Sequence, residues 1–289
     1  MRLTSMMNKP VSRIISRSIS SVPLSYELLR GGNSQQPIVI LHGLLGNKGN
    51  NRRIGKNLNE QLQRDIYLVD LRNHGNSPHS KPHNYDSMSN DVINFVDKLE
   101  MKSPTVIGHS MGAKVGMSMV LKKASVASGL ICIENSPVCT APNGKFSEYV
   151  RTLQKICQDS SIRSMTDADK MLSSVENDKF KRQFLLTVLK RDNDNKITSK
   201  VPLDILRDAI IKGYISEWPF DPRHDRWTGP TLFIRGTESP FVADEYIPTI
   251  GQYFPRFEIR DVEGNHFINA VKPDECSDYI LDFITRNDL

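Results

Sequence analysis

Residues 106–112 read Val-Ile-Gly-His-Ser-Met-Gly: the end of an apolar run, a serine with a glycine two places to either side, then a helical pattern. G-x-S-x-G alone is a weak signal, because glycine and serine are common. Between a strand and a helix it is a strong one. Glycine at both flanks lets the main chain pass through a bend too tight for a Cβ. Such a bend lifts the Ser110 hydroxyl to the carboxyl edge of a sheet. The helix that follows points its first amides at the same spot, which favours developing negative charge. The pattern therefore predicts a nucleophilic Ser110, with the amide of Met111 as one oxyanion donor; a plain structural turn is the reading without function.

The rest of the chain supplies the sheet. Ile38–Leu41 is a short apolar run of the kind buried on both faces, and a helix is expected around Arg52 to Leu62. A second run ends at Asp70 and breaks into Asn, Gly and Pro. Val92, Ile93, Val96 and Leu99 then mark an amphipathic helix, with a Ser or Asn cap available at its start. The run 129–133 ends in an acid, Glu134; residues 231–236 and 257–264 read as two more strands, and a helix closes the chain. Strand and helix alternate at crossover lengths, so an α/β fold with a mostly parallel central sheet and helices on both faces follows. Residues 141–227 break the rhythm. They read as helical, charged and poor in strand signals, a helical lid insertion over the sheet's top edge with a polar turn cluster at "DNDNKITSK".

A serine nucleophile needs a base, and histidine is the usual one. Seven histidines are present. His42 follows the first buried strand, where backbone amides are the more useful groups. His74, His79 and His83 share one polar loop and face solvent or fix that loop. His109 adjoins the serine and is expected to point the other way along the turn, and His224 lies in the polar "DPRHDR". His266 follows the last strand and precedes the last helix, in a loop over the same sheet edge as Ser110, and is the expected base.

The segments "LHGLLG", "VDLRNHGNSPHS", "GHSMG", "ENSPV" and "GNHF" stand in the order and spacing of the α/β-hydrolase superfamily. Over about residues 24–289 the chain resembles its small-esterase branch, which includes mitochondrial α/β-hydrolase domain proteins and yeast ethanol and alcohol acetyltransferases. The resemblance implies a Ser-acid-His enzyme whose acid follows the nucleophile. The branch usually carries aspartate where this chain has Glu134, and Glu238 of "RGTESPF" occupies the place many other superfamily members use. Both stay open as the acid, with Glu134 preferred. The resemblance also implies the amide of Leu44 as second oxyanion donor, and it reads Asp70 and Asn73–Ser77 as a structural loop at the site's floor. It implies an alcohol acetyltransferase with acetyl-CoA as co-substrate and ester and thioester hydrolysis as a side activity. The alternatives are an esterase or thioesterase that uses water only, and a binding or scaffold protein that has lost turnover. Lys48, Arg52 and Arg53 can meet coenzyme A phosphates, although such a run is more often a solvated helix face.

Composition narrows the partners. The chain of 289 residues is 38% hydrophobic and 25% charged, as in soluble globular proteins, and no apolar run approaches the roughly 18 residues of a membrane span. Net charge is +5, but residues 1–26 carry Arg2, Lys9, Arg13 and Arg17 and no acid, so the remainder is close to neutral. A nucleic-acid surface is not expected. Residues 1–23 are rich in serine, with Val11, Ile14, Ile15 and Ile19 at helical spacing, and resemble a mitochondrial targeting segment removed near Ser20 to Pro23. No ligand-spaced His/Asp/Glu cluster predicts a metal. Cys132, Cys139, Cys157 and Cys276 form no CxxC pair and read as reduced thiols. Acyl length, alcohol preference and oligomeric state carry no signal in the sequence.

Overall fold

The computed structural model describes residues 21–140 and 144–289. The basic segment expected to act as a targeting signal therefore lies almost wholly outside the described residues. Seven strands form one sheet: β1 (Tyr26–Leu29), β2 (Ile38–Leu41), β3 (Ile66–Val69), β4 (Thr105–His109), β5 (Gly129–Ile133), β8 (Thr231–Gly236) and β9 (Phe257–Val262), in the order β1-β3-β2-β4-β5-β8-β9. All neighbours are parallel except β1, which runs antiparallel to β3 at the edge. β1 has no counterpart in the sequence reading. Its four residues are half-exposed on an edge and carry no buried apolar run.

Side chains on the central strands alternate between two cores, as a period of two requires. Val39, Leu41, Val106, Leu130, Cys132 and Phe233 face one side, where α2 (Tyr85–Lys98) and α3 (Met111–Lys122) pack. Ile38, Ile40, Ile107, Ile131, Leu232 and Ile234 face the other, covered by α1 (Arg52–Leu62) and α10 (Pro273–Asn287). Both faces are covered, which is why these strands read as continuous apolar runs. The helix marked by Val92, Ile93, Val96 and Leu99 begins at Tyr85, and its cap is an asparagine: the side chain of Asn84 accepts from the amide of Ser87 at 2.9 Å.

The inserted segment holds α4 (Gly144–Gln158), α5 (Met165–Leu172), α6 (Lys179–Leu186) and α7 (Leu203–Ile211). It is not purely helical, as the sequence reading had it. β6 (Leu189–Arg191) and β7 (Ile197–Ser199) form an antiparallel hairpin whose turn is the polar cluster at 192–196. Each strand is three residues long, too short for alternation to register. The chain closes through α8 (Ile247–Tyr253) and a short α9 (Ile268–Val271). Among the described residues, no helix is long and apolar enough to cross a membrane.

The chain leaves β2 for β3 on one side and returns to β4 on the other. The carboxyl ends of β2 and β4 thus flank a topological switch point, where open α/β sheets form their crevice. Leu41 pairs with Gly108 across that gap.

Candidate active site

Ser110 caps α3 directly after β4, with φ 54° and ψ −117°. That conformation is sparsely populated for a residue with a Cβ and costs on the order of 1–3 kcal/mol. The strand ends hold it: the Ser110 amide donates to the Ile133 carbonyl at 2.8 Å, and the Asn135 side chain donates to the Ser110 carbonyl at 3.0 Å. The two flanking glycines are sterically required. A Cβ on Gly108 would lie 2.3 Å from the Gly112 carbonyl oxygen, and one on Gly112 2.6 Å from that of Leu41.

The Ser110 hydroxyl donates to Nε2 of His266 at 2.8 Å, and Nδ1–H of the same ring donates to Oε2 of Glu134 at 3.0 Å. Each group comes from the end of a different strand: β4, β9 and β5. Glu134 is fully buried and also has a left-handed φ of 61°. Its Oε1 accepts from the Gly236 amide, and Oε2 accepts a second bond from the Ser239 hydroxyl. Glu238 does not reach the histidine. Its side chain is exposed, and its amide donates to the Gly264 carbonyl at 2.9 Å. The neighbouring Ser239 is the residue of "RGTESPF" that serves the site. Met111 is the first residue of α3, so its amide has no acceptor within the helix. Leu44 lies beside Ser110 on the loop after β2, and both border a small cavity next to the hydroxyl.

The other histidines divide sharply. His79 and His224 are exposed. His42, His74 and His83 are buried and lie in a row, mutually tilted, with ring centroids 5.1 and 5.5 Å apart. Nε2 of His42 accepts from the Leu71 amide, and Nε2 of His74 accepts from the Leu45 amide, each at 3.1 Å. Both rings therefore need to be neutral, and burial lowers their pKa values. They pin the loop after β2 to the loop after β3. His109 does not point away from the site, as the sequence suggested. It lines the cavity at Ser110, and its Nε2–H donates to the His266 carbonyl at 3.0 Å. Burial, then proximity to His266, drives its pKa down to about 3. Strand alternation hid this contact, because it depends on where the 264–267 loop lies.

Asp70 is the buried clamp of the floor. It pairs with the Lys48 ammonium and accepts from the amides of Lys48 at 2.7 Å and Asn76 at 2.9 Å. Arg52 pairs with Glu27 and Arg53 with Asp274. All three basic residues considered for phosphate binding are thus already partnered by acids. Sequence reasoning also missed Phe241, whose ring stacks on His266 with centroids 4.1 Å apart. It missed Lys114 too, buried behind the site, which donates to the Val138 carbonyl at 2.7 Å and the Thr140 hydroxyl at 3.0 Å.

Ser110 opens onto a cavity of about 350 Å³, walled on its apolar side by Leu44, Phe146, Phe180, Phe184, Phe267 and Ala270. Phe180 and Phe184 come from α6, so the inserted segment roofs the site. A buried hydroxyl in line with an imidazole and a carboxylate, beside an apolar cavity, is equipped for nucleophilic attack on an ester or thioester carbonyl.

A serine on a strand-to-helix bend, a histidine after the last strand and this sheet order define the α/β-hydrolase class. The family model described as alpha/beta hydrolase fold matches residues 36–273, and the chain belongs to that family as one of its enzymes. It is 46% identical to a "Probable alcohol acetyltransferase" of Saccharomyces cerevisiae, over 96% of this chain and 88% of that one. It is 32% identical to an "sn-1-specific diacylglycerol lipase ABHD11" of Xenopus tropicalis, over 91% of this chain and 82% of that one. Among solved structures, a "Marine microorganism esterase" superposes with a TM-score of 0.82 at 28% identity, covering 91% of this chain and all of the other.

Proposed function

We propose that the protein is a serine acyltransferase that makes acetate esters from acetyl-CoA and alcohols, with hydrolysis of esters and thioesters as a side reaction. The observation that carries the reading is the continuous chain of hydrogen bonds from Ser110 through His266 to Glu134 at a strained bend. The similarity to a relative named an alcohol acetyltransferase supports acetyl transfer in particular.

In this reading the Ser110 oxygen attacks the thioester carbonyl while its proton passes to Nε2 of His266. Glu134 holds the imidazole in the Nδ1–H tautomer and stabilises the imidazolium. The carbonyl oxygen becomes an oxyanion facing the amides of Leu44 and Met111; losing one such donor costs about 3 kcal/mol of barrier. On collapse the C–S bond breaks, His266 returns its proton to the sulfur, and an acetyl-Ser110 ester remains. An alcohol then attacks that ester, giving its proton to His266, and the same proton regenerates Ser110. Water in place of the alcohol yields acetate. The apolar cavity under α6 favours the alcohol by limiting water at the acyl-enzyme.

Purified protein incubated with acetyl-CoA and a panel of alcohols tests the reading directly, with ester and free acetate both quantified. Ester rising with alcohol concentration at the expense of acetate is expected, and Ser110→Ala should abolish both products. Acetate alone at every alcohol level would leave a hydrolase and sink the transferase. Residues 1–23 are proposed to direct the protein to mitochondria. A fluorescent fusion should lose that location when they are removed.

A further inference from the structure

We infer that the wall formed by Tyr85, Ile215 and Phe241 limits the transferred acyl group to about two carbons, by closing off a small acyl subsite beside Ser110 and the oxyanion amides. The inference rests on the acyl transfer proposed above and deepens it.

Two cavities meet at Ser110, one of about 350 Å³ and one of about 40 Å³. Proton transfer decides which part of the substrate each receives. When the tetrahedral intermediate collapses, the leaving atom takes its proton from Nε2 of His266, so the leaving group and the incoming alcohol lie on the histidine's side. His266, Phe267 and Ala270 border the large cavity. The small one shares Leu44 and Phe146 with it and is bordered further by Met111, whose amide with that of Leu44 faces the oxyanion, and by Tyr85, Ile215 and Phe241. The remaining substituent of the carbonyl carbon is the acyl chain, and the small cavity is the space left for it.

Its size sets the limit. A water molecule needs about 10–15 Å³ of such space, so the subsite admits roughly three groups of that size, which the oxyanion, the carbonyl carbon and one methyl fill. Its walls are tied down. The Tyr85 hydroxyl donates to the Ile215 carbonyl at 2.8 Å, and the Lys114 ammonium sits 5.4 Å from the Tyr85 ring centroid. Phe241 stacks on His266, and its carbonyl accepts from the Ser136 hydroxyl at 2.7 Å. Tyr85 and Ile215 are both buried. A longer acyl chain must break several of these contacts together, whereas a longer alcohol meets only the open apolar cavity.

The test is a pair of ester series on the full-length enzyme: p-nitrophenyl esters from acetyl to hexanoyl, and alkyl acetates from ethyl to octyl. We expect kcat/KM to fall at least tenfold from acetyl to butanoyl and to change far less along the alcohol series. Ile215→Ala should shrink the acetyl-to-butanoyl ratio at least tenfold, since a methylene in an apolar pocket is worth about 10–200-fold. Phe184→Ala, in the large cavity, should shift the alcohol series instead. Wild-type enzyme that turns over hexanoyl and acetyl esters alike, with Ser110 labelled by a fluorophosphonate, would overturn the subsite and leave acyl transfer standing. So would a folded Ile215→Ala protein with an unchanged ratio. No turnover of any ester and no label on Ser110 would overturn both. Should Ile215→Ala fail to fold, the two wild-type series decide the matter alone.

Discussion

Glu134 and Glu238 have the same side chain and similar spacing from a strand end, and only one of them faces His266. The difference lies in the main chain. Glu134 sits at a left-handed φ with its carboxylate turned inward, satisfied by the Gly236 amide, the Ser239 hydroxyl and the imidazole. Glu134→Gln should lower kcat by a factor on the order of 10³–10⁴, because an amide cannot hold the imidazole in the tautomer that accepts the Ser110 proton. Glu238→Gln should leave kcat within about twofold, as expected for a surface substitution. A comparable loss in both variants would contradict the geometry. Ser239→Ala removes one neutral donor to a buried carboxylate, an effect of about 1.5–3 kcal/mol on that bond. It should slow fluorophosphonate labelling of Ser110 by roughly tenfold or more, with the fold intact by circular dichroism.

At the scale of elements, the bend between β4 and α3 depends on close backbone approach. Gly112→Ala would set a Cβ 2.6 Å from the Leu41 carbonyl and 2.7 Å from that of His42, both main-chain atoms that cannot rotate aside. We expect thermal unfolding several degrees lower and Ser110 labelling nearly abolished; a variant that matched wild type in both would show the bend to be slack. The loops after β2 and β3 are joined by neutral histidines, and this joint has a pH signature. His42, His74, His83 and His109 all have lowered pKa values in the folded state, through burial first; for His83 and His109 they fall to about 3. Their ordinary value is near 6.5, so the unfolded chain binds more protons than the folded one below that pH. Stability is therefore full above about pH 6.5 and is lost as pH falls toward the folded values, by up to about 1.4 kcal/mol per pH unit for each histidine. Melting curves between pH 7.5 and 4.5 should show a steepening decline that starts near 6.5. A flat profile down to pH 5 would mean that these rings are not held neutral.

For the whole molecule, the described chain begins to engage the core immediately. The Val22 amide donates to Asp91, the Ser25 amide donates to Ser77, and Leu24 is buried. A protein starting at Ser21 should melt within a degree or two of the full chain. One starting at Tyr26 loses Leu24 and the hydrogen bonds of Val22 to Asp91 and of Ser25 to Ser77, Asp70 and Lys48, and should melt clearly lower. Equal melting temperatures for the two truncations would show that residues 21–25 do not bind the core. Asp91 ties this end to the site's floor, because it also holds the buried Arg72 on the loop after β3 through bonds of 2.5 and 2.7 Å.

Short-range pattern was enough for much of this protein. The apolar runs announced strands buried on both faces, the glycines around Ser110 announced a bend that excludes side chains, and the loop before the last helix announced His266, because each of these is dictated by local sterics or burial period. Which acid completes the site, the inward turn of His109, the service of Ser239 and Phe241, and the unequal spaces on the two sides of Ser110 were decided only by the tertiary structure. Those properties depend on where the ends of β5, β8 and β9 and the inserted helices come to lie around one point, and residues up to 157 positions apart in the chain carry no local trace of that meeting.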